Sequence, residues 1–178
     1  FPKLKQAHYK GHWLDASSAL RMDSESIIVL DPVNLALIKQ SLHEGKKQFI
    51  GGNCTVSLLL MALNGLFREK QIEWISTQTY QAASGAGARN MAELLKQMGY
   101  IYNGLDAFND LSNNILSVDK KVSELLGSSD FPKENFGYPL ACNVLPWIDS
   151  EMPNGQSKED WKAQVEANKI LGNQKIIP

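Results

Sequence analysis

The sequence predicts an α/β fold, and three observations carry that reading. A strand–helix–strand rhythm runs over about the first fifty residues, an amphipathic helical stripe follows near residue 95, and a capping motif opens a last helix near residue 158.

His12-Trp13-Leu14-Asp15 and Ser26-Ile27-Ile28-Val29-Leu30 are short β-prone runs. Asp31-Pro32 closes the second and is expected to start a turn. Val33, Leu35, Leu37, Ile38 and Leu42 then give a loose helical pattern that Gly45 ends. Gln48-Phe49-Ile50 forms the next strand and leads straight into Gly51-Gly52-Asn53-Cys54-Thr55. From Thr55 to Arg68 the chain is apolar nearly all round, which predicts a buried helix with its N-terminus at Cys54. Ile72 to Tyr80 reads as β-rich, and Gln81 to Ala88 as a small-residue turn opening another helix. In that helix Met91, Leu94, Leu95 and Met98 fall at i, i+3, i+4 and i+7, one apolar stripe.

The middle, Asn103 to Pro132, is polar, with a weaker periodic patch at Ile115, Leu116, Val122, Leu125 and Leu126. Phe136 to Ile148 reads as an irregular apolar connection. Ser157-Lys158-Glu159-Asp160 has the capping-box pattern of a helix start, and that helix runs through Leu171.

With 178 residues, 43% of them hydrophobic and 21% charged, the chain can bury a core. Its 18 basic and 19 acidic side chains leave a net charge of -1, which argues against general binding of nucleic acid or membrane surfaces. Any anion must therefore be held at a local site. The two cysteines, Cys54 and Cys142, form no CxxC pair and the histidines no cluster at metal spacing, so no metal site is expected. Two cysteines without a signal peptide read as reduced thiols of a cytoplasmic protein. The apolar run near Leu58 to Leu63 is too short to span a bilayer. The chain opens Phe1-Pro2-Lys3 and closes on Ile176-Ile177-Pro178, an apolar end that would run on into a strand, so we read it as a segment of a longer protein.

Cys54 holds most of the chemistry. A thiol attacks poorly until ionised, and the positive end of a helix favours the thiolate. Gly51 and Gly52 would allow close backbone approach and unusual dihedrals just before it, and Asn53 offers an amide. Spacing alone leaves two readings of Cys54 open, a reactive thiol or a small buried hydrophobe. Cys142, between Leu140 and Val144, fits the second.

Several long motifs, in order along essentially the whole chain, resemble aspartate-semialdehyde dehydrogenase of the Gram-negative bacterial type. They are Gly51 to Leu58 (GGNCTVSL), Thr79 to Arg89 (TYQAASGAGAR), Asn135-Phe136-Gly137, and Asn154-Gly155-Gln156-Ser157 followed by Glu159-Asp160-Trp161-Lys162. Asp15 to Met22 and Leu30 to Asn34 add to the likeness. The resemblance implies an NADP-dependent enzyme in which Cys54 is the nucleophile. Its thiolate attacks the aldehyde to give a thiohemiacetal, hydride leaves to NADP, and phosphate releases the thioester as aspartyl phosphate. Biosynthesis of lysine, methionine and threonine runs this backwards.

Gln81 matches the family's substrate-contacting glutamine, a residue that would otherwise read as a solvated strand-end amide. Arg21, Asn53 and Lys162 match positions that bind phosphate, where a guanidinium fork and an ammonium suit an oxyanion. Each alone would be called a surface residue. Glu159 matches the substrate-binding glutamate, and at i, i+3 it shares a helix face with Lys162, which by spacing alone is an ordinary ion pair. Ser84, Gly85, Ala86, Gly87 and Ala88 match the cofactor-contacting turn, although a GxG by itself is a weak signal.

By the same resemblance, residues 1–52 are the tail of a Rossmann-type cofactor domain. Residues 53–178 belong to an α+β substrate domain of the glyceraldehyde-phosphate-dehydrogenase-like type, and the family is dimeric or tetrameric, so a homodimer is expected. The family's glycine-rich phosphate turn would precede Phe1. Its histidine acid/base and carboxylate-gripping arginine would follow Pro178. His8, His12 and His43 match none of these roles and read as surface or structural residues. The segment alone is expected to be close to inactive. Leu111 stands where the family tends to carry proline, in a slightly shortened loop. Two other readings are a non-catalytic homolog that keeps the fold for subunit association, and a thiol acyltransferase independent of NADP.

Overall fold

The computed structural model describes residues 2–105 and 114–173. Leu111 and the terminal Ile176-Ile177-Pro178 lie outside these. The described chain forms two compact units, Phe1–Thr79 with Ile148–Pro178, and Tyr80–Trp147.

The first unit is built on a three-stranded parallel sheet in the order β1-β3-β2, with β1 Trp13–Asp15, β2 Ser26–Val29 and β3 Gln48–Gly51. A short helix α1, Pro2–Gln6, precedes it. Central β3 pairs Trp13 with Gln48 on one side and Ser26 with Gln48 on the other. Flanked on both edges, β3 is buried from Gln48 to Ile50. Helix α2, Asp31–His43, returns the chain from β2 to β3. Asp31-Pro32 thus opens a helix rather than a turn, because proline's fixed φ and missing N–H suit the first helical turn. The buried Asn34 amide anchors this junction, donating to the Ile28 carbonyl at 2.8 Å and accepting from the Leu30 N–H at 3.0 Å.

Helix α3, Cys54–Arg68, and helix α6, Lys158–Leu171, complete the unit. Ile28, Val56, Leu60 and Ile170 form its core, with Val33, Leu30 and Phe67 packed around them. The expectation of a fully buried α3 is corrected. Only Val56 and Leu60 are buried, while Leu58, Met61 and Leu66 are exposed. A helix apolar all round has a second face, and within this unit only one is covered. The expected strand over Ile72 to Tyr80 is also absent. This stretch has no ladder partner among the described residues, and Trp74 and Tyr80 are exposed. β-Propensity alone does not make a strand where no sheet edge receives it. Ile72, Trp74 and Ile75 instead line a shallow cavity of about 480 Å³ with Leu63 and Leu66.

The second unit holds α4, Ala88–Gly104, and α5, Ile115–Leu126. Its core is Ile101, Phe131 and Ala141, with Leu94, Val122 and Leu126 packed against it. Phe131 meets the Tyr100 ring edge-on at 5.4 Å. Gly104 lies close to α5, and a Cβ there would come within 2.6 Å of the Leu125 methyls, which would have to turn aside. Phe136 to Trp147 is the irregular connection expected.

The apolar stripe of α4 meets this core only in part, through Leu94. Leu95 and Met98 are exposed, whereas Glu93, Gln97 and Ile101, at i, i+4 and i+8, are buried. The loop packed on α4 has backbone groups that need partners, and the two polar side chains supply them. Burial alone would raise the Glu93 carboxyl. The N–H groups of Phe136 (3.0 Å) and Asn135 (2.6 Å) and the Asn135 amide (2.6 Å) outweigh it and hold the group below its ordinary value of 4.5. A depressed folded-state pKa contributes stability above the unfolded value and loses it as pH falls through the folded one. Urea stability should therefore drop as pH falls below the ordinary value of 4.5, and Glu93→Gln should flatten that drop. An unchanged acid limb in the variant would show that Glu93 does not couple this loop to pH.

Candidate active site

The site grows from the C-terminal end of β3, where ligands of parallel sheets commonly bind. Gly51 and Gly52 leave the strand and Asn53 caps α3, its Oδ1 accepting from the Val56 N–H at 3.1 Å. Cys54 is the first helical residue and its thiol is exposed. The unusual dihedrals expected of the two glycines are not found, since neither has positive φ. Gly52 is needed for close approach instead. A Cβ there would lie 2.9 Å from Ser57 Oγ and 3.3 Å from Ile28 Cγ2.

Asn53 is the hub. Its backbone N–H donates to Glu166 Oε2 at 3.0 Å, and its side-chain Nδ2 donates to Glu159 Oε1 at 3.0 Å. Both carboxylates come from α6, so this helix is tied to the cysteine turn at two heights. Glu166 also receives Arg21 Nη1 at 3.2 Å in a buried ion pair, with side-chain exposures of 10% for Arg21 and 2% for Glu166. Arg21 spends two further donors on the turn, Nε on the Gly51 carbonyl at 2.7 Å and Nη2 on the Gly52 carbonyl at 3.2 Å. Of its five N–H groups, two remain beyond these three bonds. Lys169 holds the loop that carries Arg21, donating to the Arg21 and Asp23 carbonyls at 2.7 and 2.6 Å.

Lys162 lies one turn above Glu159 and meets its Oε2 at 3.2 Å and Asp149 Oδ2 at 2.9 Å. Burial opposes its charge, but hydrogen bonds to Asp149 and Glu159 outweigh that and hold the ammonium above the usual lysine range. Asp149 is held below the carboxylate range, burial again being outweighed by Lys162 and by the Ser150 N–H.

Arg21, Asn53, Cys54, Glu159 and Lys162 are thus gathered in the first unit. Gln81 and the turn Ser84 to Ala88 belong to the second. That turn is a 3-10 segment, Ala83–Ala86, followed by Gly87 at φ +94°, which precedes α4 without a side-chain cap. A methyl added at Gly85 or Gly87 would meet nothing within 4 Å. Cys142 is exposed at φ +60°, which corrects its reading as a small buried hydrophobe. Its loop turns the side chain outward next to the buried Ala141. All three histidines are exposed.

Sequence reading missed Glu166 and Asp149. Glu159, Lys162, Glu166 and Lys169 recur at i, i+3, i+7 and i+10 on α6, a pattern that normally marks a solvated face. Here it faces the cysteine turn and the loop bearing Arg21.

The first unit is thus a mixed α/β unit with an exposed cysteine at a helix start beside the buried Arg21–Glu166 pair. The model of the semialdehyde dehydrogenase dimerisation domain matches residues 63–178, and the chain belongs to that family. Among solved structures it is similar to aspartate semialdehyde dehydrogenase from Francisella tularensis, at 46% identity and a TM-score of 0.90, over 99% of this chain and 48% of that one. It is also similar to aspartate semialdehyde dehydrogenase II from Vibrio cholerae, at 27% identity and a TM-score of 0.69, over 92% of this chain and 41% of that one. The same enzyme complexed with ASA gives a TM-score of 0.70 at the same identity and coverage. The chain therefore spans about half the length of the structures it matches.

Proposed function

We propose that the chain is the cysteine-bearing part of an NADP-dependent aspartate-semialdehyde dehydrogenase. In biosynthesis this enzyme converts aspartyl phosphate to the semialdehyde, on the route to lysine, methionine and threonine. Residues 1–52 would belong to the cofactor domain and residues 53–178 to the catalytic and dimerisation domain. The observation that carries the reading is the Asn53 hub, which sets Cys54 at the start of α3 within one network with Glu159 and Lys162.

Cys54 Sγ attacks the carbonyl carbon of the acyl phosphate, a C–S bond forms, and the C–O bond to phosphate breaks with its electron pair leaving on phosphate. Lys162, the Asn53 amide and the remaining Arg21 donors hold the departing phosphate. Glu159 faces the substrate ammonium, and Gln81 orients the carbonyl. Ser84, Gly85, Ala86, Gly87 and Ala88 would hold the reduced cofactor, NADPH, which would supply the hydride for the thioester carbon. The C–S bond then breaks to release the aldehyde and restore Cys54.

Both cysteines are exposed, so access alone would not separate their reactivity. Iodoacetamide at neutral pH should label Cys54 on the order of tenfold faster than Cys142, because only Cys54 starts a helix. Peptide mass spectrometry reads both rates. Equal labelling, or faster labelling of Cys142, would remove Cys54 as nucleophile.

A symmetric homodimer is the second part of the proposal. Leu58 and Met61 on α3, and Leu95, Met98 and Tyr102 on α4, are large apolar side chains left exposed by their own units. Light scattering at micromolar concentration should give twice the chain mass, and a strictly monomeric species would dismiss the dimer.

A further inference from the structure

The phosphate role proposed for Lys162 meets an obstacle in its own surroundings. Arg21 is matched by Glu166, and Lys162 touches two carboxylates, Glu159 and Asp149. Taken together, Arg21, Lys162, Glu166, Glu159 and Asp149 carry one more negative charge than positive. Lys158 and Lys169 act from further off, on Asp149 and on Glu166, and Asp23 faces Lys169 in turn, so the two carboxylates on Lys162 remain its nearest charges. A phosphate entering this cluster meets net repulsion unless a carboxylate withdraws.

The two partners of Lys162 differ in exposure, Asp149 being the nearer at 2.9 Å against 3.2 Å for Glu159 but the more open to solvent. Glu159 is 14% exposed and its other oxygen accepts from the buried Asn53 amide. Asp149 is 37% exposed and leads the turn that enters α6. That turn closes through the Glu151–Ser157 bridge, the Lys158 N–H to the Ser150 carbonyl at 2.8 Å and the Met152 N–H to the Gln156 carbonyl at 2.9 Å. Asp149 itself sits at φ +73°, a conformation that few side chains other than Asp and Asn accept readily. Its Oδ1 accepts from the Ser150 N–H at 2.8 Å, which aims Oδ2 at Lys162.

We propose that Asp149 is a built-in counter-ion of the phosphate site. It occupies the Lys162 ammonium until the oxyanion of inorganic phosphate or an acyl phosphate displaces it, and so sets the affinity of the site. The carboxylate keeps a half-buried ammonium paired when the site is empty, and lets product phosphate leave when it returns. This inference rests on the phosphate site proposed above.

Calorimetric titration of the 178-residue chain with inorganic phosphate tests it. Asp149→Asn keeps the shape and tolerates the positive φ, and it should bind phosphate about three- to tenfold more tightly than the parent chain. Asp149→Gly, which also suits that backbone, should move the same way. Adding Lys162→Ala to either should abolish the gain. Unchanged or weaker binding in Asp149→Asn and Asp149→Gly, with the parent still binding phosphate in a Lys162-dependent way, would overturn the counter-ion and leave the phosphate site standing. A gain that survives Lys162→Ala would overturn it too, since the gain would not pass through the ammonium. No phosphate binding by the parent or by either variant would overturn both readings.

Discussion

Replacing Glu166 with alanine should cost about 3–5 kcal/mol of folding stability, the usual penalty for stripping one partner from a buried ion pair. Glu166 is almost fully buried and serves two donors, the Arg21 guanidinium and the Asn53 N–H. Without it, Arg21 keeps a buried charge balanced only by the Gly51 and Gly52 carbonyls. The loss is large against the roughly 5–15 kcal/mol that holds a domain of this size together. Urea unfolding followed by circular dichroism would measure it. The double variant Arg21→Met with Glu166→Leu should recover part of the loss, since removing both charges leaves no orphan among the side chains. A loss below about 1 kcal/mol for Glu166→Ala would mean that the pair does not hold α6 to the cysteine turn.

Gln97→Leu should destabilise the second unit by about 3 kcal/mol, although leucine is nearly the same size. The Gln97 side chain is wholly buried and serves three backbone groups at close range. Its Oε1 accepts from the Leu140 and Ala141 N–H groups at 2.8 and 2.9 Å, and its Nε2 donates to the Pro132 carbonyl at 2.8 Å. Leucine offers none of these bonds, and each orphaned buried group costs about 1–3 kcal/mol, less whatever water recovers. Hydrogen exchange would locate the effect, with the Leu140 and Ala141 amides losing protection first. Unaltered protection there, with stability intact, would show that the loop does not depend on Gln97.

The two substitutions mark where reading the sequence succeeds and where it stops. The helix start at Cys54 and the Ser157 cap of α6 are both local. Each rests on side chains within a few residues of the backbone they control, and each is found where expected. Glu93 and Gln97 look like the polar side of an amphipathic helix until a loop about forty residues further on needs hydrogen bonds. The β-rich stretch after Ile72 fails for the complementary reason, since a strand exists only if another strand receives it.

The sequence by itself determined the α/β class, the place of Cys54 at a helix start and, through motifs spread along the chain, the family. Only the tertiary structure decided which face of each helix is covered. It also decided that Glu166 and Asp149 are the partners of Arg21 and Lys162, and that Cys142 is exposed. The physical reason is range. Caps and periodicity act within one or two turns of backbone, whereas a buried charge finds its partner across 145 residues of sequence, and periodicity carries no record of that distance.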